Sequence, residues 1–244
     1  MSWPIFIPSK GRPGCATAAH FPEALVVIEP QDYDAYRHAM PAAKLHVLPE
    51  DNQGIAYVRQ HILNFERARN NAWYWMFDDD IAGFSRTNAL KRLEKASAAE
   101  VLAEAEALIT AQPGVGQAAL EYAQYAWSNT KPVKLVGYCD VAVAINTHLT
   151  RTCRYRPEMA LKEDRDFTLQ VLANGAKTMR TAMLSFKAPK NGSNKGGLHE
   201  EYAKAGREEA AVDRMVAAWP QCVTKQVKPD GRIDCKINWR FFKD

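Results

Sequence analysis

The stretch WYWMFDDDI, residues 73–81, runs from apolar and aromatic residues directly into three consecutive aspartates and then returns to an isoleucine. Aromatic residues favour a buried strand, so residues 73–77 are predicted to form one that ends where the charges begin. Adjacent carboxylates raise one another's pKa unless a cation neutralises them, and hard divalent ions prefer oxygen ligands. At the carboxyl end of a strand in an α/β sheet, this pattern predicts a metal at a ligand crevice. An acidic turn on a solvated edge is the alternative.

The first half of the chain alternates short apolar runs with amphipathic stretches. Strands are predicted at residues 4–7, 24–28 and 44–48, besides 73–77, and helices at residues 31–40, 54–70 and 97–111. In the second helix, apolar residues recur every three or four positions. The third begins with Ser97, and Glu100 three residues later completes a capping box. This alternation is typical of parallel strands connected by helices.

The second half of the chain has a different pattern. Residues 116–127, 133–146 and 177–186 favour strands, residues 163–173 and 198–219 favour helices, and residues 191–197 form the glycine-rich loop NGSNKGG. The chain ends in a predicted hairpin that turns at residues 229–231. No internal repeat or long linker separates the halves. We therefore predict one α/β domain over residues 1–244, an open, mostly parallel twisted sheet with helices on both faces and an embellished C-terminal half.

Composition excludes several classes of protein. A chain of 244 residues with 47% hydrophobic content buries a sizeable core, which excludes a disordered tail or a disulfide-stapled miniprotein. No apolar run approaches the roughly 20 residues that span a bilayer, and the N-terminus lacks the pattern of a secretory signal. We therefore expect no membrane partner and a cytoplasmic location, in the host cell if the protein is viral. The 5 cysteines are widely spread without a CxxC pair, which favours reduced thiols.

The net charge is only +4, but two segments concentrate positive charge. Residues 129–156 hold five basic residues against one acidic, and residues 221–244 hold six against three. Aromatic residues are interleaved with these segments, namely Trp127, Tyr138, Tyr155, Trp239, Phe241 and Phe242. Phosphate contacts combined with base stacking are typical of nucleic-acid-binding surfaces. Core packing of the aromatic rings is the alternative.

Three further motifs carry charge at positions suited to a ligand. In IFIPSKGRP, residues 5–13, the first strand ends in a loop whose glycine and cations suit a diphosphate. In GIAYVRQ, residues 54–60, a glycine opens a helix and Arg59 lies near its N-terminus, where both can serve a phosphate. In ALKEDRDF, residues 160–167, three carboxylates crowd a helix start. A surface arginine and dipole-stabilised capping carboxylates are the alternatives for the last two motifs.

The order of these motifs resembles the GT-A class of nucleotide-sugar glycosyltransferases over roughly residues 4–200. The resemblance implies that residues 1–115 bind the nucleotide and residues 116–244 the acceptor. It implies donor contacts at Pro8, Ser9, Lys10, Arg12, Gly54 and Arg59. The aspartates match the D-x-D motif, with Asp78 and Asp80 as ligands of Mn²⁺ or Mg²⁺ and Asp78 and Asp79 also against the nucleotide sugar. A C-terminal histidine, here His199, often completes the metal shell in this class.

The pair Glu163 and Asp164 resembles the late acidic motif that supplies the catalytic base of inverting members of the class. This implies Asp164 as the base, Asp166 as the reserve and Glu163 as a donor contact. If the reaction retains the anomeric configuration, Asp164 contacts the donor sugar instead. Lys195 and Gly196, in the glycine-rich loop before His199, are further implied donor contacts.

Within that class, the combination of IPSKGR, FDDDI, KEDRDF and NKGG followed by a histidine resembles the TET-associated glycosyltransferases of bacteriophages and their relatives. That family implies transfer of a hexose or N-acetylhexosamine from UDP-Glc or UDP-GlcNAc to 5-hydroxymethylcytosine, or a related modified pyrimidine, in DNA. The basic segments offer DNA contacts at Arg154, Arg156, Lys236, Trp239 and Arg240. The alternatives are a glycosyltransferase acting on a protein or glycan, a nucleotidyltransferase, and a non-catalytic DNA-binding module.

Overall fold

The computed structural model describes residues 2–129, 131–189, 206–229 and 231–243. Its strands are β1 (Ile5–Pro8), β2 (Leu25–Ile28), β3 (Lys44–Val47), β4 (Trp73–Phe77), β5 (Gly83–Thr87), β6 (Leu93–Ala96), β7 (Val115–Tyr122), β8 (Lys134–Leu135), β9 (Ala142–Asn146), β10 (Lys177–Lys187), β11 (Val223–Val227) and β12 (Ile233–Ile237). Its helices are α1 (Tyr33–Ala39), α2 (Ile55–Ala68), α3 (Ala98–Thr110), α4 (Ala123–Ala126), α5 (Glu163–Ala173) and α6 (Arg207–Ala218). No helix within these ranges is long and apolar enough to cross a membrane.

Ten strands form one sheet in the order β3-β2-β1-β4-β9-β7-β10-β5-β6, with β8 paired to β10. Strands β1 to β4 are mutually parallel. Strand β9 runs antiparallel between β4 and β7, so β7, and β10 parallel to it, share the direction of the first four strands. Only β5, β8 and β9 run the other way. The predicted open, mostly parallel sheet is confirmed.

Helices cover both faces of the sheet because successive residues of its central strands point to opposite sides. From β1 and β4, Ile7 and Phe77 pack in one apolar cluster with α3, whereas Phe6 and Met76 pack in another with α2 and α5. All these side chains are buried. The predicted capping box of α3 is present: the Ser97 hydroxyl accepts from the backbone N–H of Glu100, whose carboxylate accepts from Ser97 N.

The strand predictions for the second half are wrong in part. Strand β7 ends at Tyr122 and the chain turns into α4, so residues 123–127 are not extended. Residues 133–146 contain the two-residue β8 and the five-residue β9, with an irregular stretch between them. The hairpin of β5 and β6, which directly follows the three aspartates, was not predicted. Of the helix predicted at residues 198–219, α6 forms the part within the described residues.

Residues 206–229 and 231–243 form a small C-terminal module of α6, the hairpin β11–β12 and a 3₁₀ helix, Trp239–Phe242. The predicted hairpin is confirmed, with Val223 opposite Ile237. The module's core includes Val212 and Met215 and continues onto Leu169 of α5. The 5 cysteines are all buried and free, which confirms the prediction of reduced thiols.

The direction of β9 places one irregular segment next to the aspartates. Because β9 is antiparallel to β4, its first residue lies at the same sheet edge as the last residue of β4. The backbone N–H of Asp78 donates to the carbonyl of Val141 at 2.8 Å. The ends of β1, β4 and β7 and the start of β9 therefore meet along one edge.

Candidate active site

The three consecutive aspartates point in different directions. Asp79 turns into the protein, with 6% of its surface exposed, and accepts hydrogen bonds from the Ser9 hydroxyl and from Arg12 Nη1, the latter at 2.6 Å. The Ser9 hydroxyl also bonds the Tyr36 hydroxyl at 2.6 Å. Both side chains therefore fasten the β1 loop to the loop after β4, and the donor contacts predicted for Ser9 and Asp79 stay predictions.

Asp78 and Asp80 remain partly open to solvent on the other side of the loop. Asp78 Oδ1 lies 3.0 Å from Arg59 Nη2, and Asp80 Oδ2 lies 3.5 Å from Arg12 Nη1. Desolvation raises the pKa of Asp78 to about 7 despite Arg59, and the charges of Asp80, Asp79 and Asp140 add to the rise. Such crowding of carboxylates is the condition under which a bound cation becomes favourable.

Thr17 fixes the backbone of this loop. Its hydroxyl donates to the carbonyl of Asp78 at 2.6 Å and accepts from the N–H of Ile81 at 2.9 Å, while its own N–H donates to the carbonyl of Asp79 at 3.2 Å. Thr17 is fully buried. One threonine in the 3₁₀ helix Ala16–His20 after β1 thus sets the directions in which the three carboxylates point, a role that no sequence motif indicated.

Arg59 joins the two acidic motifs. Its Nη2 contacts Asp78 and its Nη1 contacts Glu163 Oε1 at 3.1 Å, and only 8% of its surface is exposed. The guanidinium is therefore a buried bridge between Asp78, directly after β4, and Glu163 in α5, and the predicted phosphate contact stays a prediction. Glu163 is itself 3% exposed, and desolvation, opposed by Arg59, raises its pKa to about 7.

Asp164 and Asp78 line one small recess. Its Oδ2 accepts from the Tyr138 hydroxyl at 2.5 Å and its Oδ1 accepts from the backbone N–H of Arg165 at 2.7 Å. A cavity of about 10 Å³, near the size of one water molecule, is lined by Asp78, Asp140, Asp164 and Arg59 among others. The structure therefore brings together carboxylates from two motifs that lie 86 residues apart in the sequence.

Asp166, predicted as the reserve base, belongs to a buried hydrogen-bond network. It is fully buried and accepts hydrogen bonds from the Arg156 guanidinium, from Trp219 Nε1 at 2.8 Å and from Gln170 Nε2 at 2.7 Å. The guanidinium of Arg156, a residue predicted to contact DNA, donates two hydrogen bonds to Asp166. The helical turn rotates Asp166 away from Asp164 and under the C-terminal module, where it meets Arg156 and Trp219. The base role of Asp166 and the DNA contact of Arg156 stay predictions.

Asp140 is a site residue that sequence reasoning missed. It is 7% exposed, pairs with Arg180 Nη2 at 2.8 Å and accepts from the Tyr122 hydroxyl at 2.7 Å. Desolvation, opposed by Arg180, raises its pKa. The available signal was the tripeptide YCD at residues 138–140, which holds the one acidic residue of a basic segment.

Further predicted donor residues lie at the end of β1, in the loop after it and directly before α2. Lys10 Nζ lies 2.8 Å from Glu29 Oε2 and 2.7 Å from Asn52 Oδ1, at the rim, and Pro8 ends β1 in the core. Gly54, directly before α2, has φ +82°, which favours glycine. Lys10, Arg12 and Gly54 lie in loops that follow β1 and precede α2.

Several predicted residues are not placed by the structure. Lys195, Gly196 and His199 lie outside the described residues. Within the described part of the chain, no three His, Cys, Asp or Glu side chains surround one point suited to a metal ion. Arg154 is exposed beside α5, whereas Lys236, Trp239 and Arg240 line a concavity of about 650 Å³ on the C-terminal module.

The fold is shared with solved structures at low sequence identity. Residues 1–349 of TarS from S. aureus match with a TM-score of 0.52 and 14% identity, over 88% of this chain and 66% of that one. A mycobacterial protein matches with a TM-score of 0.53 and 9% identity, over 97% of this chain and 83% of that one. The chain thus spans slightly less than two thirds of the TarS fragment. The fold is that of the GT-A-like nucleotide-sugar transferases.

The family is shown by sequence. Residues 3–197 match the family model described as TET-Associated Glycosyltransferase. The chain therefore belongs to the TET-associated glycosyltransferase family, as its motifs predicted. No curated protein matches the chain. The C-terminal module lies beyond the matched residues.

Proposed function

We propose that the chain transfers a sugar from a nucleotide-sugar donor to the hydroxyl of 5-hydroxymethylcytosine, or a related 5-hydroxymethylated pyrimidine, in DNA. The observation that carries the proposal is the meeting of Asp78 and Asp164 at one cavity. A donor held at the end of β4 and an acceptor hydroxyl at the start of α5 would then be adjacent. Membership of the family supports the class of reaction and suggests the acceptor.

The donor site fits a hard divalent cation by its chemistry. Asp78 and Asp80 offer carboxylate oxygens at a strand end, and the raised pKa of Asp78 reflects charge that burial and neighbouring carboxylates leave poorly compensated. We propose that Asp78 and Asp80 hold Mn²⁺ or Mg²⁺, with His199 as a third ligand. When bound, the ion would neutralise the donor diphosphate and stabilise charge on the leaving nucleotide.

The protein's own cations would act on the same leaving group. Arg12 lies at the aspartates and Lys10 at the rim of the β1 loop, both close to where a diphosphate would reach the ion. UDP is the proposed nucleotide, with glucose or N-acetylglucosamine as the sugar. We also propose Lys195 and Gly196 as donor contacts. Positive groups fixed before the reaction stabilise developing charge without reorganisation.

Asp164 is the proposed base. The acceptor oxygen bonds to the anomeric carbon of the sugar as its proton passes to Asp164, and the bond from that carbon to the diphosphate oxygen breaks. The products are glycosylated DNA and a nucleoside diphosphate, with the anomeric configuration inverted. Tyr138 and the N–H of Arg165 hold the carboxylate in one orientation for this step.

DNA would reach the site over the second half of the chain. A target base must leave the helical stack before its hydroxymethyl group reaches a recessed carboxylate. Arg154 and the concavity formed by Lys236, Trp239 and Arg240 provide exposed charge and an aromatic ring for phosphate and base contacts. Binding of this kind weakens as salt rises.

The experiment that tests the proposal is mass spectrometry of nucleosides digested from 5-hydroxymethylcytosine DNA after incubation with the protein, Mn²⁺ and single UDP-sugars. We expect a hexose or N-acetylhexosamine mass shift that is absent with unmodified DNA and lost in Asp80→Ala. NMR of the product linkage would report its anomeric configuration, and retention would remove the role of Asp164 as base.

Other outcomes separate the alternatives. Hydrolysis of a UDP-sugar without a DNA product favours a protein or glycan acceptor. Release of pyrophosphate rather than a nucleoside diphosphate indicates a nucleotidyltransferase. If the protein binds DNA but turns over neither donor nor DNA, the glycosyltransferase proposal is wrong.

A further inference from the structure

Asp234, in the hairpin of the C-terminal module, is surrounded by three cations. It is 3% exposed, and its carboxylate lies 2.5 Å from Arg165 Nη1, 2.7 Å from Lys228 Nζ and 3.4 Å from Lys162 Nζ. Lys228 belongs to the module, but Lys162 and Arg165 flank the start of α5. A buried carboxylate with donors on both oxygens holds its partners in one geometry. Asp234 therefore ties the module to the helix start that carries Asp164.

Arg165 continues the connection to the site. Its guanidinium lies over the Tyr138 ring, 5.2 Å from the centroid, and its backbone N–H donates to Asp164. Arg180, which pairs with Asp140, lies 5.9 Å from the same ring. The Tyr138 ring is thus placed by two arginines, and its hydroxyl bonds Asp164 Oδ2.

We propose that Asp234 is a positioning residue for the reaction: it fixes the Arg165 side chain, which places the Tyr138 ring, whose hydroxyl orients the Asp164 carboxylate. The inference rests on the proposed role of Asp164 as base. Asp234 lies outside residues 3–197, so the module beyond the family match completes the acceptor side of the site. The planar guanidinium can lie over the Tyr138 ring and pair with both oxygens of Asp234 at once, a geometry that the ammonium of lysine does not reproduce.

If Asp234 only stabilised the module, loss of another ion pair in the hairpin should have the same effect as loss of Asp234. A variant of Lys228 distinguishes this structural role from the positioning role. Lys228 pairs with Asp234 Oδ2 from the hairpin turn, whereas Arg165 reaches toward Tyr138. Loss of Lys228 weakens the anchoring of the hairpin and leaves the connection from Asp234 to Asp164 in place. Lys228→Gln is therefore the matched control for Asp234→Asn.

The kinetic test compares Asp234→Asn, Asp234→Glu, Tyr138→Phe, Arg165→Lys and Lys228→Gln in the DNA transfer assay. We expect kcat to fall about 10-fold to 100-fold in Asp234→Asn, Tyr138→Phe and Arg165→Lys with the donor KM within twofold of wild type, because misplacement of a base acts on the chemical step. Asp234→Glu should recover part of the loss, and Lys228→Gln should match wild type.

The double variant Asp234→Asn with Tyr138→Phe gives the sharper result. If both act through Asp164, the combined loss of kcat is smaller than the product of the single losses. A combined loss of kcat equal to the product of the single losses would overturn the proposal. A kcat loss in Lys228→Gln as large as that in Asp234→Asn would overturn it too. If Asp234→Asn does not fold, Arg165→Lys takes its place in the cycle, with the same outcomes.

A second readout does not depend on catalysis. In protein labelled with ¹³C at tyrosine Cζ, the Tyr138 resonance is assigned by its absence in Tyr138→Phe, and its chemical shift reports the hydrogen bond of the hydroxyl. We expect the resonance to move in Asp234→Asn and stay in place in Lys228→Gln. An unmoved resonance in Asp234→Asn overturns the coupling. A moved resonance in a protein without transferase activity leaves the coupling standing and removes the proposed function instead.

Discussion

The two acidic clusters, residues 78–80 after β4 and residues 163–166 at the start of α5, divide their carboxylates in the same way. In each, one aspartate is buried and saturated by an arginine and neutral donors, Asp79 by Arg12 and Asp166 by Arg156. Asp78 and Asp164 instead line the recess. A loop held by Thr17 makes the division after β4, whereas helical rotation makes it in α5. Adjacent acidic residues therefore have different surroundings, because the local backbone conformation sets the direction in which each side chain points.

The clusters differ in how they are neutralised. After β4, the three aspartates share the positive charges of Arg12 and Arg59 and remain close to one another. This arrangement is suited to binding a divalent cation. At α5, the helix N-terminus and backbone N–H groups help to hold the carboxylates, and Asp164 accepts only uncharged donors in its two described hydrogen bonds. We interpret the first cluster as the donor side and the second as the acceptor side.

The largest expected effect separates Asp164 from Asp166. Asp164→Asn should lower kcat by about 10²-fold to 10⁴-fold, because general-base catalysis contributes that much. Its thermal unfolding should change less than that of Asp166→Asn. Steady-state kinetics with a thermal melt of each variant checks this. Full turnover in folded Asp164→Asn would show that the acceptor proton goes elsewhere.

Removing the bridge between the clusters should cost the most stability. Arg59→Met leaves Asp78 and Glu163 without their shared cation, and loss of one partner of a buried ion pair costs about 3–5 kcal/mol in the free energy of unfolding. Arg59→Lys, which keeps the charge without the two-pronged geometry, should cost less. Urea unfolding measures both. Equal stability of Arg59→Met and wild type would mean that the bridge is not formed.

Asp166→Asn should affect stability rather than chemistry. It weakens a buried network of Arg156, Trp219 and Gln170, and we expect a loss of about 1–3 kcal/mol, as for a disrupted buried hydrogen bond to a charged group. The kcat of the folded protein should stay within about threefold of wild type. A kcat loss like that of Asp164→Asn would identify Asp166 as the base.

The pH dependence of stability should distinguish Glu163 from Asp234. Desolvation, only partly offset by Arg59, raises the pKa of Glu163 to about 7. The folded state therefore keeps a proton that the unfolded chain releases near pH 4.3, so the stability contributed by Glu163 is full below about pH 4 and is lost as pH rises through about 7. Against wild type, Glu163→Gln should gain relative stability over that range in urea unfolding.

The stability contributed by Asp234 depends on pH in the opposite direction. Burial opposes its ionisation, but hydrogen bonds from Arg165 and Lys228 hold the pKa of Asp234 below its usual range. Its contribution is present above about pH 4, the unfolded pKa, and is lost on further acidification. Differences between wild type and Glu163→Gln or Asp234→Asn that stay constant over pH 3–8 would contradict both statements.

The smallest effect concerns the proposed DNA surface. Lys236→Gln and Arg240→Gln should each reduce the slope of log K against log salt by about 0.7–0.9 if each contacts one phosphate. Donor hydrolysis should not change. Fluorescence anisotropy with labelled DNA at several salt concentrations measures the slope, and Lys225→Gln, whose ammonium pairs with Glu209 and Asp213, is the control. Unchanged slopes would place DNA elsewhere.

Local patterns in the sequence were sufficient for strands β1 to β4, for helices α1 to α3 and for the family. Apolar periodicity, the capping box and the order of four motifs are properties of consecutive residues, and these predictions were confirmed. The same patterns failed around α4 and β9, because the antiparallel insertion of β9 between β4 and β7 depends on contacts with distant strands.

By itself the sequence determined which segments carry charge at strand and helix ends. Only the tertiary structure decided which charges face the recess, because orientation depends on partners far along the chain: Ser9 for Asp79, Trp219 for Asp166, Arg180 for Asp140. Burial makes an unpaired charge costly, so these three buried carboxylates lie where an arginine or hydroxyl from another element meets them. Asp78 and Asp164, which line the recess, are the carboxylates that we propose for the chemistry.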